Sequence, residues 1–239
     1  MDKRIKFSLF LIAALSIAAV GCVAIPAVNS VESHTEVIDA EDADSVTAEI
    51  MMGAGKLVVQ SGTEALMEGE FLYSYRDYAP DITYRVRSSG RGDLLVEQDD
   101  GPKFRVQSDY KNEWELTFNE EIPLDLDITL GAGESILDLA DLNLGSFSLK
   151  MGAGAAYVDL SGILDQDIVV NIQGGVGELT VLLPLNTNII AEVTGGLGEI
   201  NIKGLDREGE MLVSNYSGPG PVLNITIEVG IGQLNLLVQ

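Results

Sequence analysis

The chain has 239 residues, 46% of them hydrophobic, and carries 37 Asp and Glu against 14 Lys and Arg, a formal net charge of -23. That apolar content excludes wholesale disorder, and the acidity opposes electrostatic binding to nucleic acid or to anionic headgroups. One His and one Cys are too few for a His/Cys metal site or a histidine-based nucleophilic triad, so no cofactor is expected.

Residues 1–22 read "MDKRIKFSLFLIAALSIAAVGC": a basic start at Lys3, Arg4 and Lys6, an uncharged run from Phe7 to Val20, then small residues before Cys22. This is the pattern of a secretory signal. The stretch "AAVGC" resembles the bacterial lipobox, which implies lipidation of Cys22 and anchorage of the mature chain to the lipid bilayer. Cleavage without lipidation and retention as an uncleaved anchor are the two other readings, and all three export the rest of the chain. Because Cys22 is the single cysteine, the exported part must be held by its core without disulfides. Residues 23–45, which include His34, read as a polar linker.

Residues 46–122 read as an N-terminal β domain. It opens with "AEIMMGAGKLVVQSG" (Ala48 to Gly62) and continues with alternating aromatic and β-branched residues, the mark of longer antiparallel strands. Ser88-Ser89-Gly90 and Asp99-Asp100-Gly101-Pro102 are turn signals between them. Thr63 to Glu70 is the one stretch suited to a helical turn. Tyr73, Tyr75, Tyr78 and Tyr84 read either as strand packing or as a surface on which a glycan could stack.

Residues 123–239 repeat a phrase. "GGVGELTV" at Gly174 to Val181 returns as "GGLGEINI" at Gly195 to Ile202. Six Gly-x-Gly units are copies of this phrase: Gly53/Gly55, Gly131/Gly133, Gly152/Gly154, Gly175/Gly177, Gly196/Gly198 and Gly230/Gly232. Each runs into alternating apolar residues instead of a third glycine and a helix, which excludes a dinucleotide loop. Ahead of the units the apolar series falls at odd offsets, as in Leu126, Ile128 and Leu130. After them it falls at even offsets from the second glycine, as in Leu179, Val181 and Leu183. A straight strand whose parity changes would turn its core face to water, so each unit must be a corner that absorbs one residue.

From Gly131 the first glycines are spaced by 21, 23, 21 and 34 residues, a period that signals stacked coils. The longest interval contains Asp206 to Pro221, which reads as a long loop or an extra hairpin. The predicted fold is therefore all-β: a parallel β-solenoid of Gly-x-Gly-cornered coils preceded by an antiparallel-rich β region.

Stacked in chain order, coils about 4.8 Å apart would make Glu178 and Glu199 neighbours. They read as two splayed, solvated glutamates or as a weak Ca²⁺ site, given the oxygen-only ligands. The calcium-binding nonapeptide of other solenoids fails here, since Leu179 stands where its Asp belongs. Asp125, Asp127, Asp138 and Asp159 face outward as a solvated surface or as acid/base carboxylates acting on sugars.

The phrases "MGAGKLVV", "EGEFLYSY", "DITYRV" and "GDLLVEQ", together with "IPLDLDITLGAG" and "LDLADLNLGSFSLKMGAGAAYVDL", resemble the toast-rack family of bacterial envelope proteins. That family is related to the LiaF-like, cell-wall-active-antibiotic-response group and to adhesin-like β-solenoids. The resemblance implies a non-enzymatic role at the envelope and transfers no catalytic residue. The leading expectation is a membrane-anchored, non-catalytic lipoprotein that binds or scaffolds an envelope protein or glycan, or acts in envelope stress. The alternative is a polysaccharide-acting lyase or hydrolase built on a solenoid face.

Overall fold

Apolar alternation on both sides of a glycine corner requires strand before and after it. In the computed structural model, which describes residues 31–74, 78–98 and 111–239, the ladder continues through every corner. Thirteen strands are present among the described residues: β1 (Glu32–Ile38), β2 (Ser45–Ser61), β3 (Met67–Tyr73), β4 (Pro80–Val86), β5 (Arg91–Gln98), β6 (Asn112–Phe118), β7 (Leu124–Asp138), β8 (Leu144–Asp159), β9 (Ile168–Leu183), β10 (Asn188–Lys203), β11 (Leu205–Glu208), β12 (Met211–Ser214) and β13 (Val222–Val238). There is no α-helix among them.

The six long strands are the rungs of one stack, and the corner of each divides it between two layers. Ahead of the corner, β2 pairs with β5; past it, β2 pairs with β6. The first layer therefore runs β4-β5-β2-β7-β8-β9-β13-β10-β12-β11, and the second β1-β3-β6-β2-β7-β8-β9-β13-β10. Inward side chains from both layers meet in one core. Its rows obey the register: Ile128, Leu149, Ile172 and Ile227 stand side by side in the first layer, and Leu137, Val158, Val181 and Leu236 in the second, all buried. The parity change at the corners is what lets both halves of a rung face this core.

The rungs do not stack in chain order. The last, β13, lies between β9 and β10, parallel to both. The side chains supply the reason. Leu223, Ile225, Ile227, Leu234 and Leu236 of β13 are all buried, and only a rung with neighbours on both sides covers so many apolar groups. The chain reaches that place by way of the hairpin β11–β12, which accounts for the long interval, and β12 pairs with Ile190 to Glu192 of β10.

Several expectations change. The linker ends sooner than expected, because Glu32–Ile38 forms β1 against β3 and His34 stacks on Phe71 with centroids 6.1 Å apart. The stretch from Thr63 forms no helical turn: the Thr63 hydroxyl accepts the Ala65 N–H at 3.2 Å, and strand β3 starts at Met67. Met67, Phe71 and Tyr73 are buried on one side of that strand, a period of two that a helix would break. Across the expected division at 122/123, β2 pairs with β7 from Val46↔Leu124 to Val59↔Leu137, so the Gly53/Gly55 corner is the first rung of the same stack. The antiparallel strands expected in the N-terminal part are present as β1/β3, β3/β6 and β4/β5. The signal segment with Cys22, Tyr75 and the turn at Asp99 to Pro102 lie outside the described residues.

Candidate functional site

The corners build the feature that sets this surface apart. At Gly177 the backbone has φ 143°, and the second glycine of every unit, Gly55, Gly133, Gly154, Gly198 and Gly232 included, lies between 131° and 152°. This is a region that L side chains avoid. Rung-to-rung contact adds a second constraint: a Cβ at Gly177 would strike the carbonyl oxygen of Gly154, and one at Gly175 the carbonyl oxygen of Gly152. The same backbone contact recurs at Gly131, Gly152, Gly196 and Gly230, but Gly53, on the first rung, meets only the Gln98 side chain, at 3.5 Å.

Between the glycines, the middle residues are in register along the outside of the stack. Their order is Ala54, Ala132, Ala153, Val176, Ile231, Leu197. Their size grows towards the β10 end, where Val176 is 52% exposed, Ile231 54% and Leu197 74%. Beside this apolar ridge runs an open groove of about 690 Å³ whose lining includes Lys150, Gln173, Glu228 and Thr194. Gln173 and Glu228 are in register on adjacent rungs, and the Gln173 amide donates to the Glu228 carboxylate at 3.5 Å. Ridge and groove together suit contact with a surface or a chain rather than enclosure of a small molecule.

The ridge ends at the open side of the stack. On β10, Ile200 is 44% exposed, whereas its register partners Leu234 and Leu179 are 0% and 3% exposed. Past Glu192 no strand covers the outer side of β10 among the described residues.

The carboxylates singled out in the sequence do not converge. Gln233 stands between Glu199 and Glu178 in the register, so the expected contact of the two glutamates gives way to a two-rung separation. The cause is the insertion of β13. Glu178 instead accepts a hydrogen bond from the Asn235 amide at 3.3 Å, and Asn235 also accepts one from Asn201 at 3.1 Å. Among the described residues no group of three or more His, Cys, Asp or Glu could hold a metal ion.

Asp125 and Asp127 precede their corner, whereas Asp138 and Asp159 come after theirs and pair with each other, so the two pairs belong to different layers. Asp125 is engaged, accepting from Arg91 at 2.6 Å and from the Ser146 hydroxyl at 2.7 Å. Tyr73 is buried in the core, and the Tyr84 hydroxyl donates to the Ala40 carbonyl at 2.8 Å, which is strand packing and not a stacking surface. Burial raises the pKa of Tyr84, with Glu41 adding to the rise; burial likewise raises that of Tyr157, with Asp159 and Asp138 adding. The apolar ridge was not among the expected sites; the residue recurring between each pair of glycines is the signal that marks it, but its direction and end depend on rung order.

This geometry defines a two-layered, mostly parallel β-stack of the β-solenoid type, with corners of glycine and an exposed ridge. The chain belongs to the toast_rack family: residues 27–182 match the N-terminal domain of toast_rack, DUF2154. It is similar over 88% of its length, at 29% identity and a TM-score of 0.82, to the whole of a candidate cell adhesion protein from Clostridium sporogenes. A candidate adhesin from Bacteroides fragilis aligns over 86% of this chain and 97% of its own at 12% identity, with a TM-score of 0.35. No curated protein matches the chain.

Proposed function

We propose that this protein is an exported lipoprotein, anchored to the bilayer through Cys22, whose β-stack serves as a non-catalytic binding module at the cell envelope. The observation that carries the binding role is the ridge of Val176, Ile231 and Leu197, an apolar line held in water on a rigid stack. An exposed line of this kind marks a contact surface. The likeness over nearly the full length to a candidate cell adhesion protein supports the same reading. The export and anchor rest on the basic flank, the uncharged run and Gly21-Cys22, and a diacylglycerol group provides the two chains that stable anchoring needs.

Metabolic labelling with a fatty-acid probe tests the anchor. The wild type should be labelled and sediment with membranes, while Cys22→Ser should be unlabelled; an unlabelled wild type overturns it. For the binding role, cells carrying a Leu197→Asp, Ile231→Asp variant should adhere to envelope preparations less than cells carrying the wild type at equal surface amount. Equal adhesion would remove the ridge as the contact surface.

A further inference from the structure

Insertion of β13 between β9 and β10 brings three connectors together on the side where these rungs begin: 160–167 before β9, 215–221 before β13 and 184–187 before β10. The middle connector is tied to both neighbours. The Val222 N–H donates to the Asp167 carboxylate at 2.8 Å, and the Asn188 amide donates to the Gly218 carbonyl at 3.1 Å. Within it, the Tyr216 hydroxyl donates to the Pro219 carbonyl at 3.3 Å. Between the connectors lies a partly enclosed cavity of about 500 Å³, within the range of small-molecule sites.

The wall of this cavity is unlike the rest of the surface. In a chain of net charge -23, none of its lining residues is Asp, Glu, Lys or Arg. A second cavity, of about 350 Å³ and on the other side of residues 162–164, has Glu120, Glu121, Asp141 and Asp165 in its lining. The uncharged cavity instead combines Ile163, 93% exposed, and Leu185, 60% exposed, with the half-buried ring of Tyr216. Ser161, Asn186 and Thr187 add hydroxyl and amide groups. The side chains of Ser161 and Asn186 have no hydrogen-bond partner among the described residues. Asn186 holds φ 56°, a left-handed conformation that asparagine tolerates better than most residues.

This wall selects its occupant. A charged ligand would enter without a counter-charge on the lining side chains, which is unfavourable. An acyl chain would cover the Ser161 hydroxyl and the Asn186 amide without giving either a partner. An extended peptide gains its affinity from a strand edge, and every lining residue lies outside the strands. A neutral sugar meets each condition: its C–H face packs on the Tyr216 ring and the apolar side chains, and its hydroxyls, both donors and acceptors, answer Ser161, Asn186 and Thr187.

We propose that the cavity between these connectors is a binding site for a neutral sugar unit of an uncharged glycan. The site goes beyond the ridge contact and does not depend on it, because the ridge stands at the corners and the cavity where the rungs begin. The sugar ring lies against Tyr216 between Ile163 and Leu185, and Asn186 fixes its orientation through the hydroxyls.

The test uses the full-length protein, in a detergent whose headgroup is not a sugar, and saturation-transfer NMR with trisaccharides at millimolar concentration. The neutral members are oligomers of glucose, galactose, mannose and N-acetylglucosamine; the charged members are oligomers of glucosamine and of galacturonic acid. At least one neutral trisaccharide should bind at least about tenfold more tightly than both charged ones. Ile163→Asp and Asn186→Gly should each weaken that binding at least about fivefold. Neither should lower the melting temperature, since Ile163 is almost wholly exposed and glycine accepts the backbone angle of Asn186. Tyr216→Ala should weaken binding at least about tenfold, whereas Tyr216→Phe, which keeps the ring, should retain most of it. Absence of transfer to every neutral trisaccharide, or equal binding of the charged ones, would overturn the proposal. So would binding that survives Ile163→Asp and Asn186→Gly but falls with Leu197→Asp, which would assign the sugar to the ridge. Cys22 labelling and ridge-variant adhesion are read separately, so failure here is distinct from failure of the envelope role.

Discussion

At the β2 end of the stack, two side chains stand in for a missing rung. The Gln98 carbonyl oxygen accepts the Gly53 N–H at 3.1 Å, the Asn112 amide donates to the Ala54 carbonyl at 2.7 Å, and the same amide donates to Gln98 at 3.1 Å. Both layers then continue outward, through β5 and β6 parallel to β2 and then into antiparallel pairing, with β4 on β5 in one and β3 and β1 beyond β6 in the other. At the β10 end the first layer gains a short hairpin and the second gains no strand among the described residues, and the corner residue there is Leu197, 74% exposed. A stacked repeat has no reason of its own to stop, so each end needs a device that satisfies backbone groups and covers apolar side chains. The contrast teaches that this chain invested that device at one end and left half of the other as surface.

The largest effect should come from the interior of the stack. Gly177→Val combines φ 143° with a collision against the Gly154 carbonyl, and should destabilise by at least about 3 kcal/mol or prevent folding. Gly53→Ala, at the capped end, meets only the movable Gln98 side chain and should change stability by under about 1 kcal/mol. Denaturant midpoints read the difference, and equal losses would show that rung-to-rung backbone contact is not the constraint.

A matched pair sharpens the contrast across one register step. Leu234→Ala empties a fully buried site and should cost about 2–5 kcal/mol. Ile200→Ala, at the adjacent register position on β10, should cost under about 1 kcal/mol because water already reaches it. Comparable values from chemical denaturation would mean that the β10 edge is covered in solution.

Removal of the cap should have a smaller effect, still concentrated at its own end. Asn112 is buried, and Asn112→Ala would leave the Ala54 carbonyl without that donor, at about 1–3 kcal/mol. Hydrogen exchange should quicken in β2 and β6 and stay unchanged in β10. Uniform quickening would show that the two ends do not differ as local units.

The smallest expected effect is a pH dependence above the ordinary tyrosine range. Folding raises the pKa of Tyr84 and Tyr157, chiefly through burial. Above pH of about 10 the unfolded chain gives up those protons while the folded chain keeps them, so stability must fall as pH rises through that region. Tyr84 ties β4 to Ala40 at the capped end. Tyr84→Phe should therefore flatten part of the alkaline loss seen in urea midpoints between about pH 9 and 11, and an unchanged slope would remove Tyr84 from its cause.

Local chemistry determined the rung. Alternation assigned inward rows such as Leu126, Ile128 and Leu130, all buried, because a strand repeats every two residues. The parity change at Gly-x-Gly required a corner, and glycine is the residue that tolerates the positive φ found at each second position. The interval from Asp206 to Pro221 announced an insertion, and a hairpin fills much of it. The same reasoning missed β1, whose apolar positions are too few to mark a strand until β3 lies beside them.

What the tertiary structure alone decided is the order of the rungs. Parallel rungs with the same corner offer one another equivalent backbone partners, so nothing local distinguishes β10 from β13 as the neighbour of β9. Covering the more apolar inward face of β13 settles it, and that gain exists only when the whole stack is assembled. That order produces the separation of Glu178 from Glu199, the growth of the ridge from Ala54 to Leu197, and the exposure of Ile200 at an edge which the sequence places one rung short of the end.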